Sequence, residues 1–324
     1  MRVPLPAAMI TTSTAPGAVA FFEISLMPVP HQSAIRFLNL RHIIGALLAA
    51  LLLSGCSAVK LAYNNAPELT YWWLDSYLDF TPAQSSRVRN DLVALQSWHR
   101  QHELPLYVAT LEKLQAMAGA SVSVGQLCAV SDELRPRLQA LLDSAEPTVL
   151  AIAPTLATAQ MTHLTQQFDK RAETWRQEWL AGTVLERRER RFKQLLDRVE
   201  TFYGRLDKAQ RAQLQSAVTD SIFDAEMNHR EALRRQQDTL QTLRRVQGGK
   251  RDEPGVRLEM RGLIERAMAS PDPDYRNYAS RLQLETCTTL AALHNSSTAE
   301  QRRHLMETLK DYENDAHSLM ASPR

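Results

Sequence analysis

The stretch Thr81-Pro82-Ala83-Gln84 sets a hydroxyl three residues ahead of a glutamine, with a proline directly after the hydroxyl. The first amides of a helix have no partner inside it. A hydroxyl or carboxylate at the cap accepts from one of them, and a glutamine three residues on reaches back to the cap residue's own amide. Proline suits the first helical position because its missing N–H would be unpaired there in any case. The same arrangement recurs in Ser123-Val124-Gly125-Gln126, Asp207-Lys208-Ala209-Gln210 and Thr298-Ala299-Glu300-Gln301, each just ahead of an amphipathic run. Four helix starts are therefore predicted. Their spacings of 42, 84 and 91 residues are too uneven for a solenoid, and shared capping chemistry accounts for them as well as an old repeat does.

The rest of the chain agrees with helices. Beyond residue 55 only eight of the 11 glycines remain, Leu, Ala, Gln, Arg and Glu dominate, and no alternating β-branched run is bounded by turns. The expected fold is all-α, an elongated multi-helix bundle of antiparallel helical hairpins with no sheet. Gly119, Gly182, Gly204 and Gly248-Gly249 read as stops, and Pro105, Pro147, Pro254 and Pro273 as first-turn residues. Pro136 and Pro154 fall inside apparently continuing patterns, where a kink or break is expected. Residues 207–247 contain neither Gly nor Pro and are predicted as the longest helix, paired in a hairpin across Gly204 with a charged helix over 183–203. The arginines of Glu186-Arg187-Arg188-Glu189-Arg190-Arg191, Arg234-Arg235 and Arg244-Arg245 alternate with acids or glutamines, which predicts a solvated face. Residues 67–80 read as a helix whose apolar face carries Leu69, Trp72, Trp73, Tyr77 and Phe80, with Tyr71, Leu74 and Leu78 widening the apolar arc. The absence of a basic residue there favours docking on the domain over an aromatic belt at a membrane.

Upstream, Arg36, Arg41 and His42 precede the apolar run Ile43 to Leu53, which ends in Ser54-Gly55-Cys56. This order of charge, apolar run and small residues is that of a secretory signal. The run is 11 residues, too short for a helical membrane crossing of about 20. Leu53-Ser54-Gly55-Cys56 resembles the lipobox of bacterial lipoproteins. That resemblance implies cleavage between Gly55 and Cys56 and a covalent lipid on the Cys56 thiol as the only prosthetic group. With Ser57 next, it implies the outer membrane, on its periplasmic face. The expected organisation is an N-terminal extension over 1–26, either spurious, with Met27 the true start, or disordered, then a signal over 27–55, a lipidated tether over 56–66 and a helical domain over 67–324. Cutting before Cys56 removes Arg2, Arg36, Arg41 and Glu23 from 38 basic and 36 acidic residues, leaving 35 of each. A neutral chain carries no field that favours nucleic acid. Cys128 and Cys287, 159 residues apart, form a candidate disulfide in an oxidising compartment or else remain two buried thiols.

Catalytic patterns are scarce. Glu226-Met227-Asn228-His229 has the spacing that puts a carboxylate and an imidazole on one helical face, but carboxylate-bridged metal bundles need two such motifs. His99 and His102 are three apart and supply two ligands at most. No catalytic, cofactor or metal residue is assigned, and a non-enzymatic protein is expected. The alternative is an envelope enzyme or metal-binding protein built on His99 and His102 or on Glu226 and His229.

Leu61-Ala62-Tyr63-Asn64-Asn65, Asp75-x-Tyr77-x-Asp79, Gln84 and Trp98-His99-Arg100-x-x-Glu103-Leu104-Pro105-x-Tyr107 together resemble a proteobacterial lipoprotein family catalogued as a domain of unknown function. That resemblance implies no activity. Phe80-Thr81-Pro82-Ala83-Gln84 and Leu206-Asp207-Lys208-Ala209-Gln210 are similar to the Leu-Thr-x-x-Gln motif of Spy-like periplasmic chaperones, with Phe for Leu in one copy and Asp for Thr in the other. The function expected is protein binding, as a scaffold or chaperone-like module of the cell envelope whose partners are the membrane, through the acyl anchor, and an envelope protein.

Overall fold

A computed structural model describes residues 58–321. Among them are twelve α-helices and no strand: α1 (Ala58–Asn64), α2 (Ala66–Leu78), α3 (Pro82–His102), α4 (Leu104–Ala118), α5 (Val124–Ile152), α6 (Thr158–Trp175), α7 (Val184–Tyr203), α8 (Lys208–Thr219), α9 (Ala225–Val246), α10 (Glu253–Met268), α11 (Pro273–Asn295) and α12 (Ala299–Ala321). Short 3-10 turns follow α5 and α9, and a π-helical turn, Arg176–Leu180, follows α6. The all-α class expected from composition is the class observed. No helix among the described residues is long and apolar enough to cross a membrane.

All four capping stretches start helices as expected, at α3, α5, α8 and α12. Thr81, Ser123 and Asp207 accept from the amides of Gln84, Gln126 and Gln210, and Thr298 Oγ1 accepts from Gln301 N–H at 3.2 Å. A fifth start, at α6, has only half the device. Gln160 Oε1 accepts from Ala157 N–H at 2.9 Å, while alanine has no side-chain acceptor to offer in return.

Four of these helix starts meet in pairs. Gln160 Nε2 donates to Gln84 Oε1 at 2.8 Å, and Gln210 and Gln301 exchange two such bonds, each 2.8 Å. Each carboxamide also donates to the backbone carbonyl five residues ahead of its partner: Gln84 to Thr155, Gln160 to Asp79, Gln210 to Ser296 and Gln301 to Arg205. The four glutamines are buried, none more than 7% exposed. The reciprocal bonds explain how an uncharged polar group is held inside at low cost. The first pair joins the starts of α3 and α6, and the second those of α8 and α12. The described residues hold four apolar clusters. The largest gathers Tyr71, Val88, Leu156, Leu164, Val246 and Val256 from α2, α3, α6, α9, α10 and the α5–α6 turn.

Several expectations are corrected. The uninterrupted helix over 207–247 is absent: α8 stops at Thr219 and α9 begins at Ala225. Partners from α11 satisfy the backbone at this break, with Ile222 N–H donating to Glu285 Oε2 at 2.9 Å and Asp224 N–H to the Tyr278 hydroxyl at 2.9 Å. The hairpin across Gly204 is thus α7 with α8 alone, whereas α9 packs on α10 and α6. The longest helix is α5, 29 residues, which runs through both Pro136 and Pro147. Ion pairs of Glu146 with Arg257 and Arg261 of α10 hold the turn next to Pro147, and Gln283 of α11 donates to Asp132 near Pro136. An interior proline costs about 3 kcal/mol, and these contacts tie the helix to α10 and α11 close to each proline. Pro154 does end α5, in a 3-10 turn.

Of the apolar arc over 67–80, Tyr71 is buried and Leu74, Tyr77, Leu78 and Phe80 pack on the same core as expected, whereas Trp72 points outward. Residues 58–64, expected within a tether, form α1, which packs on α12 with Lys60 3.4 Å from Asp315. Arg234 and Arg235 do not face solvent freely. Both bind the buried Glu231, whose other oxygen bonds Ser270 and Arg234, and Arg266 of α10 grips Asp238 through two bonds of 2.9 Å. Burial pushes the Glu231 carboxyl up, and the two arginines outweigh it and leave it below the usual glutamate range. Asp238 is likewise held low, chiefly by Arg266.

Cys128 and Cys287 are bonded, with their Cα atoms 5.6 Å apart. The bridge ties α5 to α11 in an antiparallel register that Val122 with Asn295 and Ser131 with Gln283 continue on either side.

Candidate functional site: an arginine-rimmed cleft

The residues singled out for metal chemistry do not converge. His99 faces inward, its Nδ1 3.0 Å from the Tyr63 hydroxyl and its ring stacked on Tyr107, and burial lowers its pKa. His102 is exposed, its Nδ1 2.9 Å from Trp98 O and its ring stacked on the Trp98 indole. Glu226 is exposed on α9. His229 is half-buried, with its pKa lowered first by burial and then by Arg176. Among the described residues no three His, Cys, Asp or Glu side chains are grouped as metal ligands. Gly55 and Cys56, with the whole proposed signal, lie outside the described residues.

The aromatic and charged signature near residue 100 has a structural use. Tyr63 of α1 meets His99 and the Arg100 guanidinium, Gln96 donates to Tyr63 O, and the buried Glu103 lies 3.8 Å from Arg137 of α5. Asp75 Oδ1 accepts from Phe80 N–H at 2.9 Å, which closes the turn after α2, where Asp79 adopts φ 47°. These motifs therefore dock helices on one another.

The chemistry-bearing concavity is elsewhere, between the end of α6, the start of α7 and the α8–α9 break. Its volume is about 380 Å³, within the range of small ligand sites. Glu178, Trp179 and Leu180 of the π-turn over 176–180 form one of its walls. One extra residue in a helical turn re-aims the side chains that follow. Trp179 stacks on Trp175 with ring centroids 5.3 Å apart and meets Phe223, from the α8–α9 break, at 5.7 Å. Trp179, Leu180, Val218 and Phe223 make an apolar floor, with Val184 at its edge.

The rim is Arg187, Arg188, Arg190 and Arg191, facing Glu178, Asp224 and Glu226. Two of the arginines brace the wall through neutral acceptors: Arg187 donates to Leu180 O and Gly182 O at 2.9 and 3.0 Å, and Arg190 to Ala181 O at 2.7 Å. Those carbonyls carry no charge, but Arg190 also has a charge partner in Glu186, whose carboxyl is held low first by its bonds from Thr183 and then by Arg190. Arg191 lies over the Phe223 ring at 4.2 Å and donates to Ser221 Oγ, and burial pushes its pKa down while Glu285 opposes the shift. Arg188 is exposed. Of the acids, Asp224 is engaged as the cap of α9, accepting from Met227 N–H. At the first turn of α7 beside the cleft, Val184 and Leu185 are 54% and 73% exposed.

The arginine run was visible in the sequence but read as a solvated face. What could have marked the cleft is the juxtaposition of Trp175 and Trp179, one helical turn apart, just upstream of those arginines. The π-turn itself left no Gly or Pro to find.

A family model described as a family of unknown function (DUF6279) matches residues 76–276, a span that includes every residue of the cleft. No curated protein and no solved structure matches the chain.

Proposed function

The chain belongs to a family of unknown function (DUF6279), and from that membership, which fixes no activity, we propose that it is a lipid-anchored, non-catalytic protein-binding module of the bacterial envelope. The observation that carries it is the Cys128–Cys287 bond, which ties helices 159 residues apart. Stable disulfides belong to oxidising compartments, so the bond supports export, as the signal-like run before Cys56 does. The Leu53-Ser54-Gly55-Cys56 box adds the anchor, with two or more acyl chains holding the protein at the membrane. Ser57 after the cysteine favours the outer membrane and its periplasmic face. A role in binding is supported by the cleft, whose aromatic floor and arginines are the residue types enriched where proteins meet. His99 and His102 turn apart on α3, so the metal-binding alternative gains no support from them.

The anchor is tested by Cys56→Ala in cells fed a labelled fatty acid. Complete loss of label and accumulation of the uncleaved precursor are expected. Undiminished labelling of the variant would refute the lipobox assignment.

A further inference from the structure

We infer that the outward face of α1 and α2, with Val93 of α3 beside it, is a membrane-contact surface that lies flat against the bilayer, so that the domain rests on the lipid and does not hang from it. The inference rests on the lipid anchor proposed above and adds the orientation which that anchor imposes.

The first reason is chain length. Only Ser57 separates Cys56 from Ala58, the first residue of α1. Two extended residues span at most about 7 Å. With the acyl chains of Cys56 in the lipid, the start of α1 is held at the headgroups. Nor can α1 swing as a tether would. Lys60 pairs with Asp315 of α12, the Tyr63 hydroxyl lies 3.0 Å from His99 Nδ1, and the Arg100 guanidinium meets the Tyr63 ring. An anchor at Cys56 therefore positions the whole body.

The second reason is where the exposed residues fall. Helical bonding runs on from α1 into α2, with Asn65 N–H donating to Leu61 O at 3.2 Å and Leu69 N–H to Asn65 O at 3.0 Å. Pro67 has no amide for Tyr63 O, and Gln96 of α3 donates to that carbonyl in its place. Ala58, Leu61, Asn65, Glu68 and Trp72 are all exposed and follow one another at steps of three and four. They form one stripe, about 21 Å long at the helical rise, on the side of α2 opposite the buried Tyr71. Val93 stands next to it, one helical turn from Arg89, which pairs with Glu68, and one from Gln96. Leu61, Val93 and Trp72 are 60%, 55% and 44% exposed.

The mixture suits a lipid interface. Tryptophan and aliphatic side chains settle at the base of the headgroup layer, while Asn65 and the Glu68–Arg89 pair stay in its hydrated part. The basic residue that 67–80 lacks is thus supplied by α3. The two faces of α2 then have separate uses, the inner one for the core and the outer one for the membrane.

The test uses the full-length lipoprotein purified from membranes and inserted into vesicles of phosphatidylethanolamine and phosphatidylglycerol that carry a headgroup label. A photo-cross-linking residue replaces Leu61, Trp72, Val93 or, as the control, Leu258 of α10, which is 73% exposed. Labelled lipid adducts at the first three positions are expected to exceed those at Leu258 at least fivefold. Trp72→Phe should also lower by at least a third the quenching of tryptophan fluorescence by lipids brominated on their acyl chains. Adducts at Trp72 and Val93 no more frequent than at Leu258 would overturn the proposal, as would quenching unchanged in Trp72→Phe. Mass spectrometry of the same samples separates this failure from that of the anchor. An acylated Cys56 without those adducts would mean a body that stands away from the lipid on a sound anchor, and an unmodified Cys56 would sink both readings.

Discussion

Replacing Cys128 and Cys287 together by serine is expected to lower the thermal midpoint of the domain by about 10 °C. A bond that closes a loop of 159 residues removes a large part of the unfolded chain's freedom. On the chain-entropy account that is about 3–5 kcal/mol, and at this size each kcal/mol moves the midpoint by about 2–4 °C. Differential scanning calorimetry with and without reductant gives the check. Reductant should produce the same drop in the parent and none in the double variant. A midpoint untouched in both would mean that the packing of α5 on α11 suffices by itself, and the main support for an oxidising compartment would be gone.

The second large effect is expected at Gln301. Gln301→Leu removes the acceptor of Thr298 N–H, the donor to Arg205 O and both bonds to Gln210, whose carboxamide stays buried. Loss of cap bonds together with a partly unsatisfied buried amide costs about 2–3 kcal/mol. Gln126→Leu is the informative control. Gln126 makes the same reach back to its cap residue, Ser123 N–H, but is exposed, and its loss should cost no more than about 1 kcal/mol. Urea denaturation of the two variants decides the matter. Equal losses would reduce the glutamine pairs to ordinary helix caps, whereas a coupling of about 1 kcal/mol between Gln210→Leu and Gln301→Leu would assign the excess to the pairing.

These two features also show where sequence reasoning reached and where it stopped. A cap residue and its glutamine lie three positions apart, so the start of α3, α5, α8 or α12 can be recognised from four residues. That two such starts should face each other cannot, because the partners stand 76 or 91 residues away. The start of α6 was missed for a local reason: Ala157 lacks the oxygen that makes the pattern visible, and only Gln160 carries it. The break between α8 and α9 was missed for a distant one. Ser221 to Asp224 contain no helix breaker, and the amides freed there are taken up by Glu285 and Tyr278 of α11. Pro147 misled in the opposite direction, since Glu146 beside it is held by two arginines of α10. The cleft combines both difficulties. Its arginines were plain to see, but a π-turn and the α8–α9 break bring the tryptophan and phenylalanine beneath them, and neither has a signature in the residues concerned.

The glutamine pairs carry a further consequence for a chain that emerges from the ribosome, and would cross a membrane, N-terminus first. Once Gln160 has appeared, α3 and α6 can lock at their starts with α7 to α12 still to come. The second lock must wait for Gln301, and the union of α4 with α12, where Gln115 donates to Glu313 at 2.7 Å across 198 residues, comes later still. The early helices α1 and α4 therefore wait, with the face meant for α12 uncovered, until that helix is made. Assembly is thereby ordered in time, with a late helix closing over two early ones.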